Sequence, residues 1–158
     1  GGGHAMAAGL TVERAHLGAL RAFFEERAGE TVRRLGDQRR LAIDAMIAAD
    51  AATPELIAAM ERAGPYGQGH PAPVLVLPHH RVADVRLIGA GAHLRVELKS
   101  QTGARLSAIA FRAGETALGH FLLNARGATL HVAGTLGLNH WNGQSSPQLR
   151  IIDAATPA

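Results

Sequence analysis

The chain has 158 residues, of which 47% are hydrophobic, a length that suits one or two small domains with a buried core. It contains no cysteine, which excludes disulfides, thiolate nucleophiles and cysteine-based zinc sites and fits a reducing cytoplasm. Its apolar runs are too short to span a bilayer and no signal peptide is recognisable, so we expect a cytoplasmic protein.

Charge is distributed unevenly along the chain. Residues 1–73 hold eight arginines and nine acids, whereas residues 74–158 hold seven arginines, Lys99 and only four acids. This basic surplus favours a polyanionic partner, although a similar surplus is common on small domains. Arginine grips phosphates as a fork, but a genome-wide bias toward arginine would give the same composition.

The chain begins GGGHAMAAG without an initiator methionine, so we expect a piece of a longer protein. Consecutive glycines let several backbone N–H groups surround one anion, because no Cβ blocks close approach. The Ala/Met run that follows predicts a short helix whose N-terminus points at that anion, with His4 placed to donate to a phosphate oxygen. A flexible tail is the alternative interpretation.

Helical patterns dominate the first half of the chain. Apolar residues recur at helical spacing over residues 12–29, with Gly29 as a candidate C-cap. Loose alternation over residues 41–47 predicts a strand. Thr53 followed by Pro54 predicts the start of a second helix.

Residues 64–73 include six Gly or Pro residues, and neither a helix nor a central strand runs through such a stretch. We therefore predict a stiff hinge at 64–73 between a first domain at 1–63 and a second domain at 74–158. Five alternating runs follow the hinge, with a helical stretch at 116–123 between the third and fourth. The runs cover residues 81–88, 93–100, 105–111, 129–138 and 148–152.

Five short strands with a helix between the third and fourth is the layout of an OB-fold barrel. An SH3-like barrel or an irregular sandwich fits the same count. The second run alternates between an apolar face and a basic face that carries His93, Arg95 and Lys99. In OB folds this strand commonly lines the binding groove, while a solvated outer face is the alternative. Trp141, in the turn-rich segment NHWNG, stacks on a base or caps the barrel, and we slightly favour the cap.

The chain carries no recognisable catalytic motif. His79 and His80 are adjacent, so on a strand they point to opposite faces and cannot hold one metal together. The acids lie at helix-surface spacings rather than as an isolated pair. We predict no catalytic or metal-binding residue in this chain.

Several motifs together resemble one family. GGGHAMAAG resembles the phosphate-binding signature of the DHH-associated domain of DHH phosphoesterases. GPYGQGHPAP, HLRVEL, RLSAIAF and LNHWNGQSSPQLRIID resemble the end of the RecJ single-stranded-DNA-specific exonucleases, and these motifs are more specific than the glycine-histidine signature. His70 stands where the family's hinge usually has Asn, which we interpret as a tolerated turn substitution.

The resemblance implies an α+β fold, with a partial α/β DHH-associated domain followed by a five-stranded OB-fold barrel. It implies a parent hydrolase that removes nucleotides from single-stranded DNA in the 5′→3′ direction, using Mn²⁺ or Mg²⁺, in DNA repair and recombination. The family's metal-binding motifs lie in an upstream nuclease domain. Residues Gly1, Gly2, Gly3 and His4 would hold phosphates near the cleaved bond, and the OB part would guide the DNA.

The candidate DNA-binding residues lie on or beside the predicted strands of the OB part. They are Arg86, His93, Arg95, Lys99, Arg112 and Trp141. Expected partners are single-stranded DNA, the upstream nuclease domain and single-strand-binding or other repair proteins, with no membrane. Two alternatives stay open: an OB-like part that packs or docks a protein without touching DNA, and an RNA-directed relative, against which the OB-like segment argues.

Overall fold

A computed structural model describes residues 2–4, 7–37 and 40–157. The chain divides into two compact units, Gly1–Leu41 and Ala42–Ala158. In the first unit, strands β1 (Gly2–His4) and β2 (Ala7–Gly9) pair antiparallel. A single 3-10 turn then leads into helix α1 (Leu17–Asp37).

Two local predictions for the first unit are wrong. The sequence predicts a short helix in the Ala/Met run, but Ala7–Gly9 is a strand, because a ladder satisfies backbone groups that a one-turn helix leaves open. Helix α1 continues through Gly29 instead of ending there. The good helix formers Glu30, Arg33 and Leu35 outweigh the roughly 1 kcal/mol that an interior glycine costs.

The second unit opens with strand β3 (Ala45–Met46), so the strand predicted at 41–47 is limited to two residues. A 3-10 turn, Ala49–Ala51, and helix α2 (Pro54–Glu61) follow. The predicted cap of α2 is confirmed, because the Thr53 hydroxyl accepts a hydrogen bond from the backbone N–H of Leu56 at 3.3 Å.

The Gly/Pro-rich stretch folds back on the end of α2. The Tyr66 hydroxyl donates to the Met60 carbonyl at 2.6 Å, and Nε2 of His70 lies 3.0 Å from the Ala63 carbonyl oxygen. His70 therefore has a specific contact beyond a tolerated turn position. Residues 42–73 share a compact unit with the barrel. Because compact units need not coincide with family domains, the limits 1–63, 64–73 and 74–158 stay a prediction.

The remaining elements confirm the predicted run of strands and helix. They are β4 (Leu75–Ile88), β5 (His93–Lys99), β6 (Arg105–Ala110), α3 (Ala117–Leu123), β7 (Thr129–Trp141) and β8 (Gln144–Ala155). The order is β4-β5-β6-β8-β7, and pairing of β7 with β4 closes a barrel in which only β6 and β8 run parallel. The barrel is an OB fold and not a sandwich.

Alternate residues of each strand fill the barrel with aliphatic side chains. Those that are essentially inaccessible to solvent include Leu77, Val82, Leu94, Val96, Leu98, Leu130, Val132 and Leu149. The residues between them on the same strands therefore face outward and form the outer surface of the barrel. None of the helices in the described residues is both long and apolar enough to cross a membrane.

Candidate nucleic-acid interface

The outer surface of the barrel carries a row of three arginines and one isoleucine that crosses four strands. Arg86 on β4 lies opposite Arg95 on β5, Arg95 lies opposite Ile109 on β6, and Ile109 pairs with Arg150 on β8. Directly paired residues on neighbouring strands share a face, so these side chains form one line. We call Arg86, Arg95 and Arg150, all of which are exposed, the first cation row.

A second cation row crosses the same face. It consists of Arg81 on β4, Lys99 on β5 and Arg105 on β6, again as direct cross-strand neighbours. Lys99 follows Arg95 by four residues on one strand, so the two rows are roughly 13 Å apart. Between them lies a row that contains Asp84 and Glu97.

The acids of this middle row form ion pairs with arginines outside the first cation row. Glu97 forms an ion pair with Arg105, and Asp84 lies 3.4 Å from the guanidinium of Arg126. Within residues 40–157, no carboxylate pairs with any arginine of the first cation row. Those charges are therefore available to a polyanion, whose phosphates an arginine fork suits.

An aromatic ring lies beside the first cation row. Phe111, which directly follows β6, is 45% exposed. The guanidinium of Arg150 lies 4.9 Å from the centre of this ring, and the His93 ring meets it edge-on at 5.4 Å. A cation over an exposed ring contributes about 0.5–1 kcal/mol, which helps to hold both side chains in place.

His93 and Arg112 contact each other at the edge of this cluster. Nδ1 of His93 accepts a hydrogen bond from the backbone N–H of Arg112 at 2.8 Å, which fixes the imidazole beside Phe111. Arg112 has a φ of 51°, a left-handed conformation that is uncommon outside glycine. Its side chain is exposed at the turn that follows β6.

Trp141 lies on the hairpin between β7 and β8. Asn142 and Gly143 have φ values of 48° and 74°, typical of a two-residue hairpin turn of the I′ kind. Trp141 is 73% exposed, so the prediction that it caps the barrel is wrong. The strands run past the barrel into this hairpin, which leaves no core for the ring to cover. Strand pairing places Trp141 on the same face as Arg150.

The structure thus brings five of the six predicted residues onto one sheet face, namely Arg86, His93, Arg95, Lys99 and Trp141. The sequence reasoning missed Phe111 and Arg150. The alternation of apolar and polar residues along β6 and β8 indicated that Phe111 and Arg150 face outward. No local pattern showed that these two strands lie beside each other.

The predicted phosphate-binding loop is described only in part. Gly2, Gly3 and His4 form β1, while Gly1 lies outside the described residues. The role of these residues as a phosphate site stays a prediction.

The two adjacent histidines confirm the expectation of opposite faces, since His79 is exposed and His80 is buried. Within the described ranges, no group of three or more His, Asp or Glu side chains is placed to hold a metal ion. The residues described do not fit the divalent metal that the family resemblance implies for the parent enzyme.

The sequence of the second unit decides the family. Residues 43–153 match the family of the RecJ OB domain. This chain belongs to that family.

Curated RecJ proteins align with nearly the whole chain. The single-stranded-DNA-specific exonuclease RecJ of Bacillus subtilis (strain 168) is 30% identical over 155 residues, which cover 98% of this chain and 19% of the relative. The protein of the same name from Thermus thermophilus is 29% identical over 157 residues, covering 99% of this chain and 21% of the relative. The chain therefore spans about a fifth of the length of these RecJ relatives.

Solved structures agree on the fold. The crystal structure of Thermus thermophilus RecJ in complex with Mn²⁺ matches 92% of this chain and 20% of its own, with a TM-score of 0.58 and 23% identity. The Mg²⁺ complex of RecJ from the same organism gives a TM-score of 0.57 at 23% identity. The RecJ fold is therefore shared.

Proposed function

We propose that this chain is the C-terminal part of a RecJ-type exonuclease that degrades single-stranded DNA in the 5′→3′ direction. Its barrel binds single-stranded DNA and guides it to a metal-dependent phosphodiesterase site in another part of the protein. Membership of the RecJ OB domain family supports this proposal. The structural observation that carries it is the first cation row, open to solvent and flanked by the exposed ring of Phe111.

Two kinds of contact contribute to binding, namely ionic contacts with phosphates and stacking on bases. The arginines of the first cation row contact phosphates, which supplies affinity that falls with salt. Phe111 and Trp141 offer faces on which unpaired bases stack. Stacked bases of a duplex are not free to do this, so the face prefers single strands. Lys99, a member of the second cation row, extends the phosphate contacts across the face, and Arg112 stays a candidate contact at the turn after β6.

Hydrolysis belongs to the parent enzyme and not to this chain alone. The matched RecJ structures are complexes with Mn²⁺ and Mg²⁺. Such an ion supplies Lewis-acid activation of the phosphodiester, and we assign it to the upstream nuclease domain. By the family resemblance, Gly1 to His4 hold phosphates near the cleaved bond. We further propose a role in DNA repair and recombination in the cytoplasm, with single-strand-binding protein as a candidate partner.

The main alternative is an OB part that only packs or docks a protein. The two functions differ in whether the basic strand face is open or covered. In this chain Arg86, Arg95 and Arg150 are exposed, as DNA binding requires.

Fluorescence anisotropy with a short labelled single strand and its duplex, across a salt series, tests the proposal. We expect tighter binding to the single strand, with log K falling by about 0.7 per phosphate contact for each decade of salt. Failure of the chain to bind the single strand at low salt would favour the docking alternative.

A further inference from the structure

A second surface feature lies where the barrel closes between β4 and β7. A cleft of about 320 Å³ opens at the β4 end of the second cation row. It is lined by His79, Arg81, Lys99, Ser100, Gln101 and Thr129. All of its charged groups are basic, which sets it apart from the mixed row that separates the two cation rows.

Neither cation of this cleft forms an ion pair with a carboxylate of residues 40–157. Arg81 lies directly opposite Lys99, and Lys99 lies directly opposite Arg105. Like charges in directly opposite positions destabilise a sheet. Glu97 compensates Arg105, but no carboxylate in residues 40–157 pairs with Arg81 or Lys99. A bound anion between these two side chains would remove the repulsion.

The uncharged lining suits an oxyanion with several acceptor oxygens. Thr129 lies directly opposite Arg81 on the other flanking strand, β7. The Ser100 hydroxyl is 2.7 Å from that of Thr102, which anchors the loop that carries the Gln101 amide. Two cations with hydroxyl and amide donors at one cleft match the charge-assisted recognition of phosphate.

His79 is held in an unusual backbone conformation at the cleft wall. Its φ is 52°, and it falls where the pairing of β4 with β7 shifts register. Its backbone N–H donates to Nδ1 of His131 at 3.2 Å, and the two rings meet edge-on at 4.5 Å. A strained residue that its surroundings hold in place is typical of ligand sites.

We propose that this cleft binds a phosphate group. The group is a backbone phosphodiester of a strand that continues from the first cation row, or a free phosphate ion. Binding of a backbone phosphodiester rests on the proposed function, whereas binding of free phosphate does not. Arg81 and Lys99 supply the charge in both cases, and Thr129 and Gln101 donate to the remaining oxygens.

Titration of the isotopically labelled chain with inorganic phosphate, followed by amide NMR, tests the site directly. We expect saturable shifts at Gln101 and Thr129, and at least tenfold weaker binding in Arg81→Gln. Arg62→Gln removes the same charge from an exposed position at the end of α2 and serves as the control. Thr129→Val provides a second variant, should Arg81→Gln disturb the amide spectrum of the barrel.

A salt series with a labelled oligothymidylate separates the two sources. If the cleft takes a backbone phosphodiester, Arg81→Gln lowers the salt slope by about 0.7. If it takes free phosphate, the slope is unchanged while the phosphate titration still saturates.

The same data separate failure of the cleft from failure of the proposed function. If Arg81→Gln leaves the salt slope unchanged and phosphate causes no saturable shifts, the proposed phosphate site in the cleft is wrong. If Arg95→Gln lowers the salt slope in the same experiments, the proposed DNA-binding face still stands. If phosphate binds saturably but the oligonucleotide does not bind, the proposed function is wrong and the proposed phosphate site in the cleft stands.

Discussion

The backbone N–H of Ala49 donates a hydrogen bond to Nε2 of His80 at 3.0 Å, inside the second unit. Nδ1 of the same ring donates to the Pro78 carbonyl at 2.8 Å, so the imidazole is the tautomer that carries its proton on Nδ1. His80 is only 2% exposed. This side chain therefore fastens the segment before α2 to the first strand of the barrel, and its role is structural.

Replacing His80 should cost stability. His80→Ala leaves the N–H of Ala49 buried without an acceptor, a loss of roughly 1–3 kcal/mol, with a cavity adding to it. Urea unfolding followed by circular dichroism measures the change. His120→Ala, at an exposed position on α3, is the matched control and should change stability by less than about 0.5 kcal/mol. Equal stability of both variants would mean that this hydrogen bond contributes nothing.

The first cation row should control the salt dependence of DNA binding. Arg95→Ala combined with Arg150→Ala removes two phosphate contacts and should lower the salt slope by about 1.4. Anisotropy titrations at several salt concentrations measure the slope, with Arg62→Ala as the control for charge alone. A slope equal to that of the unmodified chain would show that DNA does not run along this row.

Phe111 should contribute stacking without charge. Phe111→Ala should weaken single-strand binding by about 1–3 kcal/mol, or roughly 5- to 140-fold, and leave the salt slope nearly unchanged. Phe111→Tyr keeps an aromatic face and should retain most of the affinity. A similar loss in both variants would point to disturbed packing around His93 rather than to stacking.

Trp141 provides an internal probe, because it is the only tryptophan of the chain. We expect its fluorescence to be quenched when a single strand binds, since a base stacks on the exposed indole. Quenching should saturate at the same DNA concentration as the anisotropy. Emission that stays constant through full saturation would place the hairpin outside the binding path.

The start of α2 gives a prediction in pH. The pKa of Glu55 is lowered by its backbone hydrogen bond and by a hydrogen bond with the Thr53 side chain. Because the pKa of Glu55 is lower in the folded than in the unfolded chain, its ionised carboxylate stabilises the fold. This stabilisation is present above the unfolded pKa and is lost as pH falls through the folded pKa. Thr53→Ala should raise the pKa of Glu55 toward its usual value, as an NMR titration of the carboxyl would show. An unchanged pKa would mean that the backbone alone sets it.

Sequence periodicity was enough for several local features. Alternation located all five strands of the barrel and placed His93, Arg95 and Lys99 on one face of β5. Thr53 marked the start of α2, because capping is a matter of a few neighbouring residues. Local preference gave a wrong helix end at Gly29. The helix continues through this residue because strong helix formers follow it.

For the barrel, the sequence by itself thus determined which elements form and which side of each strand a residue occupies. Only the tertiary structure decided which strands lie side by side. Arg150 reaches the first cation row through the parallel pairing of β8 with β6, and that pairing follows from closing the barrel around its aliphatic core. The bond between Ala49 and His80 likewise joins segments 31 residues apart, so only the tertiary structure brings its two partners together.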